Sequence, residues 1–137
     1  MHINELKLLQ PLHVGFTSDK GGNTIRVTWF TRKQVLHHVW DTDLIRTDEG
    51  GFNASLLNNF IKKIEQEITE VIIHKMCEFN IRYAAESIKA ACDWAYKGVH
   101  RGSILKELYF QTRSPVVEMR LAQAGVRLAA TLNRIFA

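Results

Sequence analysis

The chain has 137 residues, the size of one ordinary domain, large enough to bury a core and too short for two to be expected. Hydrophobic residues make up 46% and charged residues 23%, which argues against a disordered or membrane class, and no apolar stretch approaches a bilayer span. The net charge of +4 comes from dispersed Lys and Arg and favours polyanions only weakly, while the opening MHINELKLLQPLH lacks the basic-then-apolar layout of a secretory signal.

The stretch over 21–36, GGNTIRVTWFTRKQVL, predicts a β-hairpin. Ile25, Val27 and Trp29 alternate with Arg26, Thr28 and Phe30, and the polar Thr31, Arg32, Lys33 and Gln34 supply the turn. Ser18, Asp19, Lys20, Gly21, Gly22 and Asn23 before it have turn chemistry, but neither GxGxxG nor GxxxxGK[ST] is present, which speaks against a nucleotide loop. From Leu56 the period changes: Leu57, Phe60, Ile61, Ile64, Ile68, Val71 and Ile72 recur every three or four residues opposite Lys62, Lys63, Glu65, Glu67 and Glu70. This pattern predicts an amphipathic helix, with Asn53 and Ser55 as candidate caps after Gly50 and Gly51. A second helix fits Tyr83, Ser87, Ile88, Ala91, Cys92 and Ala95, closing near Gly98. A third is expected to start at Pro115, a favoured first helical residue, and to run through Val117, Leu121, Ala124, Leu128, Leu132 and Ile135. Arg113, Arg120, Arg127 and Arg134 repeat every seven residues along it, a stripe that could meet nucleic acid and reads more simply as a solvated face. The two cysteines, Cys77 and Cys92, match no CxxC pattern and leave both a disulfide and reduced core thiols open.

The polar groups that stand out lie in VLHHVWDTDL, over 35–44. On a helix His37 and Asp41 are one turn apart on one face, and an imidazole with a carboxylate at that spacing can hold one divalent ion. His13, after the rigid Pro11, is the best third ligand, and His38 points about 100° away from His37. The alternative is a plain hydrogen bond from the imidazole to the carboxylate, which stabilises a helix without any metal.

The run QPLHVGFTSDKGGNTIRVTWF followed by VLHHVWD resembles the zinc-dependent, single-strand-specific nucleases of plants and fungi, the plant nuclease I or mung bean nuclease type. The family's Gln-Pro-Leu-His is matched by Gln10, Pro11, Leu12 and His13, its Gly-Gly-Asn by Gly21, Gly22 and Asn23. Its Asn-Leu-His-x-x-Trp-Asp is matched by Leu36, His37, Trp40 and Asp41, with Val35 in place of the Asn. The likeness continues through AACDWAYKGV and LAQAGVRLAATLNRIF and is weakest from about Thr69 to Arg82. It implies a mainly α fold, a helical bundle with one small hairpin, as an incomplete part of a larger all-α phospholipase C/nuclease-type domain. Residues 1–137 are then one partial domain: a divergent leader at 1–9, a metal-ligand and hairpin segment at 10–45, and a helical segment at 54–137.

The resemblance implies an endonuclease, a hydrolase of DNA catabolism that cuts phosphodiester bonds of single-stranded DNA and RNA and removes 3′-phosphates from nucleotides. It implies zinc, with His13, His37 and Asp41 as ligands of one ion, Trp40 as packing behind the ligand turn, and Gly21 and Gly22 shaping the cleft. Clustered zinc would activate water and neutralise phosphate charge without a protein nucleophile, consistent with the missing Ser/His/Asp or Cys/His signature. The family is secreted or vacuolar and glycosylated, so Asn53 of the sequon Asn-Ala-Ser is a candidate glycosylation site, whereas translation as written leaves an intracellular product open. Ten and six residues before His13, where the family has further zinc ligands, stand Ile3 and Lys7. The chain is therefore expected to be a truncated product, weakly active or inactive, with exposed apolar helix faces. A non-catalytic fragment binding zinc or nucleic acid, or a plain helical interaction module, is the alternative.

Overall fold

The computed structural model describes residues 10–48, 54–75 and 83–136. Two short 3₁₀ turns, Pro11–Val14 and Thr17–Asp19, lead into strands β1 (Arg26–Trp29) and β2 (Arg32–Val35). A helical stretch follows, made of α1 (Leu36–His38), a π turn (Val39–Asp43) and α2 (Leu44–Asp48). Then come α3 (Ala54–Lys75), α4 (Tyr83–Ala90) running into a second π turn (Ala91–Ala95), β3 (Ile104–Leu105) and the long α5 (Glu107–Phe136). The chain is mainly α, as its periodicity predicts.

The hairpin forms with Arg26 opposite Val35 and Trp29 opposite Arg32, but its turn is shorter than expected. Phe30 and Thr31 make the turn, Phe30 at φ 52, and Arg32, Lys33 and Gln34 are strand residues. The physical reason is register: Val27 and Trp29 must both face the core, and a two-residue turn with the right twist needs a positive φ where glycine usually sits. The strain on Phe30 is offset by its ring packing edge-on against Trp29 at 5.1 Å. A third strand was not foreseen. β3 pairs parallel with the other edge of β1, so the order is β2-β1-β3, and its two residues are too few to show a period.

The core gathers Leu12, Val27, Trp29, Leu36, Val39, Trp40 and Leu44 from the first part with Ala91, Ala95, Leu105, Tyr109 and Val117 from the second. Trp29 meets Tyr109 and Phe110 edge-to-face at 6.3 and 6.4 Å. Burying each of Trp29 and Trp40 stabilises the fold by about 4 kcal/mol.

α5 begins at Glu107, so Pro115 lies inside the helix and not at its first position. An interior proline costs about 3 kcal/mol through the lost N–H and the crowded carbonyl one turn back. That carbonyl belongs to the exposed Gln111, where water can reach it, and the first turns are held by Tyr109, which is buried. Ser55 likewise lies within the first turn of α3, past the cap position, while Asn53, expected as a cap and glycosylation site, lies outside the described residues. α3 packs on α5 through Phe60, Ile64 and Ile68, each half-buried, and through Lys63, which donates to Glu118 at 2.8 Å. Leu56, Leu57 and Ile61 on α3 and Leu128, Leu132, Ile135 and Phe136 on α5 remain exposed.

The arginine stripe is not a solvated face. Arg120 is 7% exposed and donates to Ser87 and Gln123, and with Arg127 it pairs with Glu86 of α4. Arg113 donates to the carbonyls of Trp94 and Lys97 and lies 4.6 Å from the Tyr109 ring centre. Only Arg134 of the four is exposed. The seven-residue period that suggested a surface stripe follows from α4 and the turn after it packing along that side of α5. Cys92 is exposed, which removes it from the core-thiol reading, and Cys77 lies outside the described residues. Among the described residues no helix is long and apolar enough to cross a membrane.

Candidate metal centre

His13 is set by the turn Pro11–Val14. The Gln10 side chain accepts the His13 N–H at 3.0 Å, Pro11 fixes φ at the first position, and Leu12, 1% exposed, anchors the turn in the core. The ring is thereby pushed out into a cleft. His37 enters from α1 and Asp41 from the π turn, in which Leu44 N–H donates to the Val39 carbonyl five residues back. Such turns insert one extra residue into a helix and recur at functional sites.

The three side chains meet. His37 Nε2 lies 3.1 Å from Asp41 Oδ2, His13 Nε2 lies 3.4 Å from Asp41 Oδ1, and the two imidazole rings are 5.2 Å apart. One donor atom from each falls within 4.8 Å of the others. His38, on the same helix, is exposed and turned away. The sequence-derived ligand set is thus brought together, and the residue judged the weaker choice stays outside it.

The chemistry of the donors tests the fit of a cation. His37 Nδ1 lies 2.7 Å from the Gly21 carbonyl, which can only accept, so Nδ1 carries the proton and Nε2 presents a lone pair. That lone pair faces a carboxylate oxygen. With His37 neutral, its lone pair and the carboxylate oxygens repel one another, and either a proton on the imidazole or a divalent ion among them removes the conflict. Zinc takes two imidazole nitrogens and one carboxylate oxygen in sites with an open fourth position, and donors ~3.4 Å apart match tetrahedral coordination. A histidine ligand whose other nitrogen is tied to a backbone carbonyl is the arrangement that fixes tautomer and ring orientation in metal sites.

Gly21 is required where it stands. Its φ is +62, and a Cβ there would lie 2.2 Å from the Leu12 carbonyl oxygen. The loop around it is held by Asp19, whose Oδ1 accepts from Gly22 N–H at 2.7 Å and from the Tyr96 hydroxyl at 3.0 Å. Tyr96 lies just beyond the second π turn, and burial together with the bond to Asp19 pushes its pKa up to about 12, so it stays a donor. Trp40 donates through Nε1 to the Tyr109 hydroxyl at 2.9 Å, and that hydroxyl donates to the Ala95 carbonyl at 2.9 Å. Tyr109 therefore ties the π turn bearing Trp40 and Asp41 to the π turn of 91–95. Tyr96, Tyr109 and Asp19 were not singled out from the sequence; the tyrosine in DWAYKG was the available signal, without a period or spacing to link it to residue 19.

The match of known families follows this geometry. The model of the S1/P1 nuclease family matches residues 8–137, nearly the whole chain. The chain belongs to the S1/P1 nuclease family. Endonuclease 2 of Arabidopsis thaliana is 51% identical over 93% of this chain and 47% of its own length. Endonuclease 1 of the same plant is 47% identical over 93% of this chain and 45% of its own. Nuclease S1 of Aspergillus oryzae is 27% identical over 92% and 49%. This S1/P1 chain thus spans about half the length of the curated relatives it matches. Its candidate metal residues all lie within the matched range.

Proposed function

We propose that the chain contributes a zinc-binding part of an endonuclease that hydrolyses phosphodiester bonds of single-stranded DNA and RNA and acts on 3′-nucleotides. His13, His37 and Asp41 hold one zinc ion. The observation that carries the reading is the convergence of these three acceptors on one point, with His37 locked by the Gly21 carbonyl. Membership of a nuclease family supports the substrate class.

When bound, zinc supplies Lewis-acid stabilisation of charge on the phosphate and activation of water. The chain's own residues do the positioning. Gly21 keeps Nε2 of His37 available by holding the proton on Nδ1. The π turn brings the Asp41 carboxylate between the two imidazoles, and Trp40, Tyr109 and Ala95 fix that turn from behind. His13 and His37 line an open cleft and Asp41 is exposed beside them, so a single strand can reach the site, where a buried one could not admit it.

Zinc content of the purified chain after dialysis, and cleavage of single-stranded against duplex DNA, test the reading. The wild type should hold zinc, and His37→Ala and Asp41→Ala should each weaken it by more than about a hundredfold, beyond what loss of an outer-shell partner does. Cleavage should favour the single strand and vanish in both variants. A chain free of zinc at neutral pH overturns the assignment, and zinc without cleavage narrows it to binding.

A further inference from the structure

The π turn after α1 carries two aspartates in opposite surroundings. Asp41, its third residue, keeps 36% of its side chain open to water and faces His13 and His37, whereas Asp43, its fifth, is 0% exposed. Asp43 Oδ1 accepts from Arg32 Nη2 at 2.9 Å, and Oδ2 is buried with no hydrogen-bond partner among the described residues. Arg32 begins β2, opposite Trp29 in the hairpin, and 53% of its side chain lies in water.

Stability does not account for this pair. A buried carboxylate gives up its hydration, a half-exposed guanidinium returns a screened attraction, and the unbonded oxygen adds to the cost. An uncharged side chain of the same shape would serve the core as well or better. What a buried ion pair can supply is register, and the π turn needs it. This turn holds one residue more than an α turn and is closed by the bond from Leu44 N–H to the Val39 carbonyl. A slip of one residue into α register would rotate the side chains beyond it by about 100°, enough to take a carboxylate off His37. Trp40 is held before Asp41 by the Tyr109 hydroxyl, and Asp43 is held after it by Arg32. Asp41 therefore lies between two fixed points, one tied to α5 and one to the hairpin.

We propose that Arg32 and Asp43 are positioning residues for the metal site: their ion pair fixes the register of the π turn and, through it, the aim of the Asp41 carboxylate. This rests on the zinc reading above and extends it to residues that touch none of the three ligands' donor atoms. A competing account has the opposite sign for one partner. Acting on a cation only through space, the Asp43 charge would attract it and the Arg32 charge would repel it. Positioning makes the two losses agree.

The test measures zinc affinity of the purified chain by competition with a chromophoric chelator, and the denaturation midpoint with zinc removed. Asp43→Asn, which keeps the shape and drops the charge, should unfold at the wild-type denaturant concentration or above it, yet bind zinc about tenfold more weakly. Arg32→Gln should also bind about tenfold more weakly, where the through-space account requires tighter binding. The double variant, with both charges gone, should be no weaker than either single one, as for two groups that act as a unit. Arg32→Lys, which keeps the charge and one donor, should bind zinc close to the wild type. If Arg32→Gln does not fold with Asp43 left unpaired, the double variant decides. Tighter zinc binding in Arg32→Gln, or wild-type affinity in the double variant, overturns the positioning role and leaves the metal site standing. Absence of zinc from wild type overturns the reading beneath it, and the role of the pair with it.

Discussion

Two polar constellations in this molecule are built from similar parts and do opposite things. His13, His37 and Asp41 converge from a 3₁₀ turn, a helix and a π turn, and one possible ligand atom of each lies within 4.8 Å of the others, partly open to water. Arg120, Glu86, Ser87 and Gln123 converge from two helices, and there the Arg120 guanidinium donates to three acceptors, with Arg120, Ser87 and Gln123 buried and Glu86 at their edge. The second is electrically closed and holds the fold together. The first is closed by a proton on an imidazole or by a metal ion. Convergence of polar side chains does not by itself mark a site; convergence of like-natured lone pairs does.

Exchanging the two roles by mutation should fail. Gly21→Ala strikes the ligand side, because its Cβ would meet the Leu12 carbonyl oxygen at 2.2 Å while φ stays at +62. We expect a loss of about 3 kcal/mol or more in chemical denaturation, together with a ten- to hundredfold drop in zinc affinity as the His37 ring loses its tether. A variant with unchanged zinc affinity would show that the Gly21 carbonyl does not orient His37. Arg120→Met strikes the closed side. Burial lowers the Arg120 pKa, with Arg127 adding to the effect and Glu86 opposing it, so the guanidinium depends on its partners and they on it. Removing it leaves Ser87 and Gln123 short of a donor, at a cost of about 3 kcal/mol, the low end for a broken buried pair because Glu86 keeps Arg127. Zinc binding should not change. If it does, the two constellations are coupled through α5 and the contrast between them is false.

The same contrast explains what the sequence revealed. The candidate metal ligands were legible because local chemistry fixes them: Pro11 and Leu12 aim His13, and a helical spacing of four aligns His37 with Asp41. The mainly α fold was legible from the period of three to four in the segments around Leu57, Ser87 and Leu121. What could not be read was whatever depends on a partner far along the chain. The stripe of Arg113, Arg120 and Arg127 has the spacing of a solvated face, and only the packing of α4 and the following turn against α5 covers it. Pro115 reads as a helix start, and only the burial of Tyr109 carries the helix back to Glu107. β3 has two residues, and its strand character exists only beside β1. The family resemblance named the three candidate ligands and said nothing of these couplings.

The smallest expected effect probes the strut that joins the two halves. Burial raises the Tyr109 pKa to about 12, although the Trp40 hydrogen bond and the nearby Arg113 each work to lower it. In the unfolded chain the hydroxyl ionises near its ordinary value of about 10. Between those values the unfolded chain has released a proton that the folded chain still holds, so stability is fully present below pH 10 and falls as pH rises towards 12. The loss attributable to Tyr109 is about 2 kcal/mol, read as the difference between wild type and Tyr109→Phe in denaturation midpoints across that range. Tyr96 also titrates high, but its hydroxyl is more open to water and its share is smaller. If Tyr109→Phe shows the same alkaline decline as wild type, Tyr109 does not hold its proton against burial. The bridge from Trp40 to Ala95 would then not be what fixes the ligand turn.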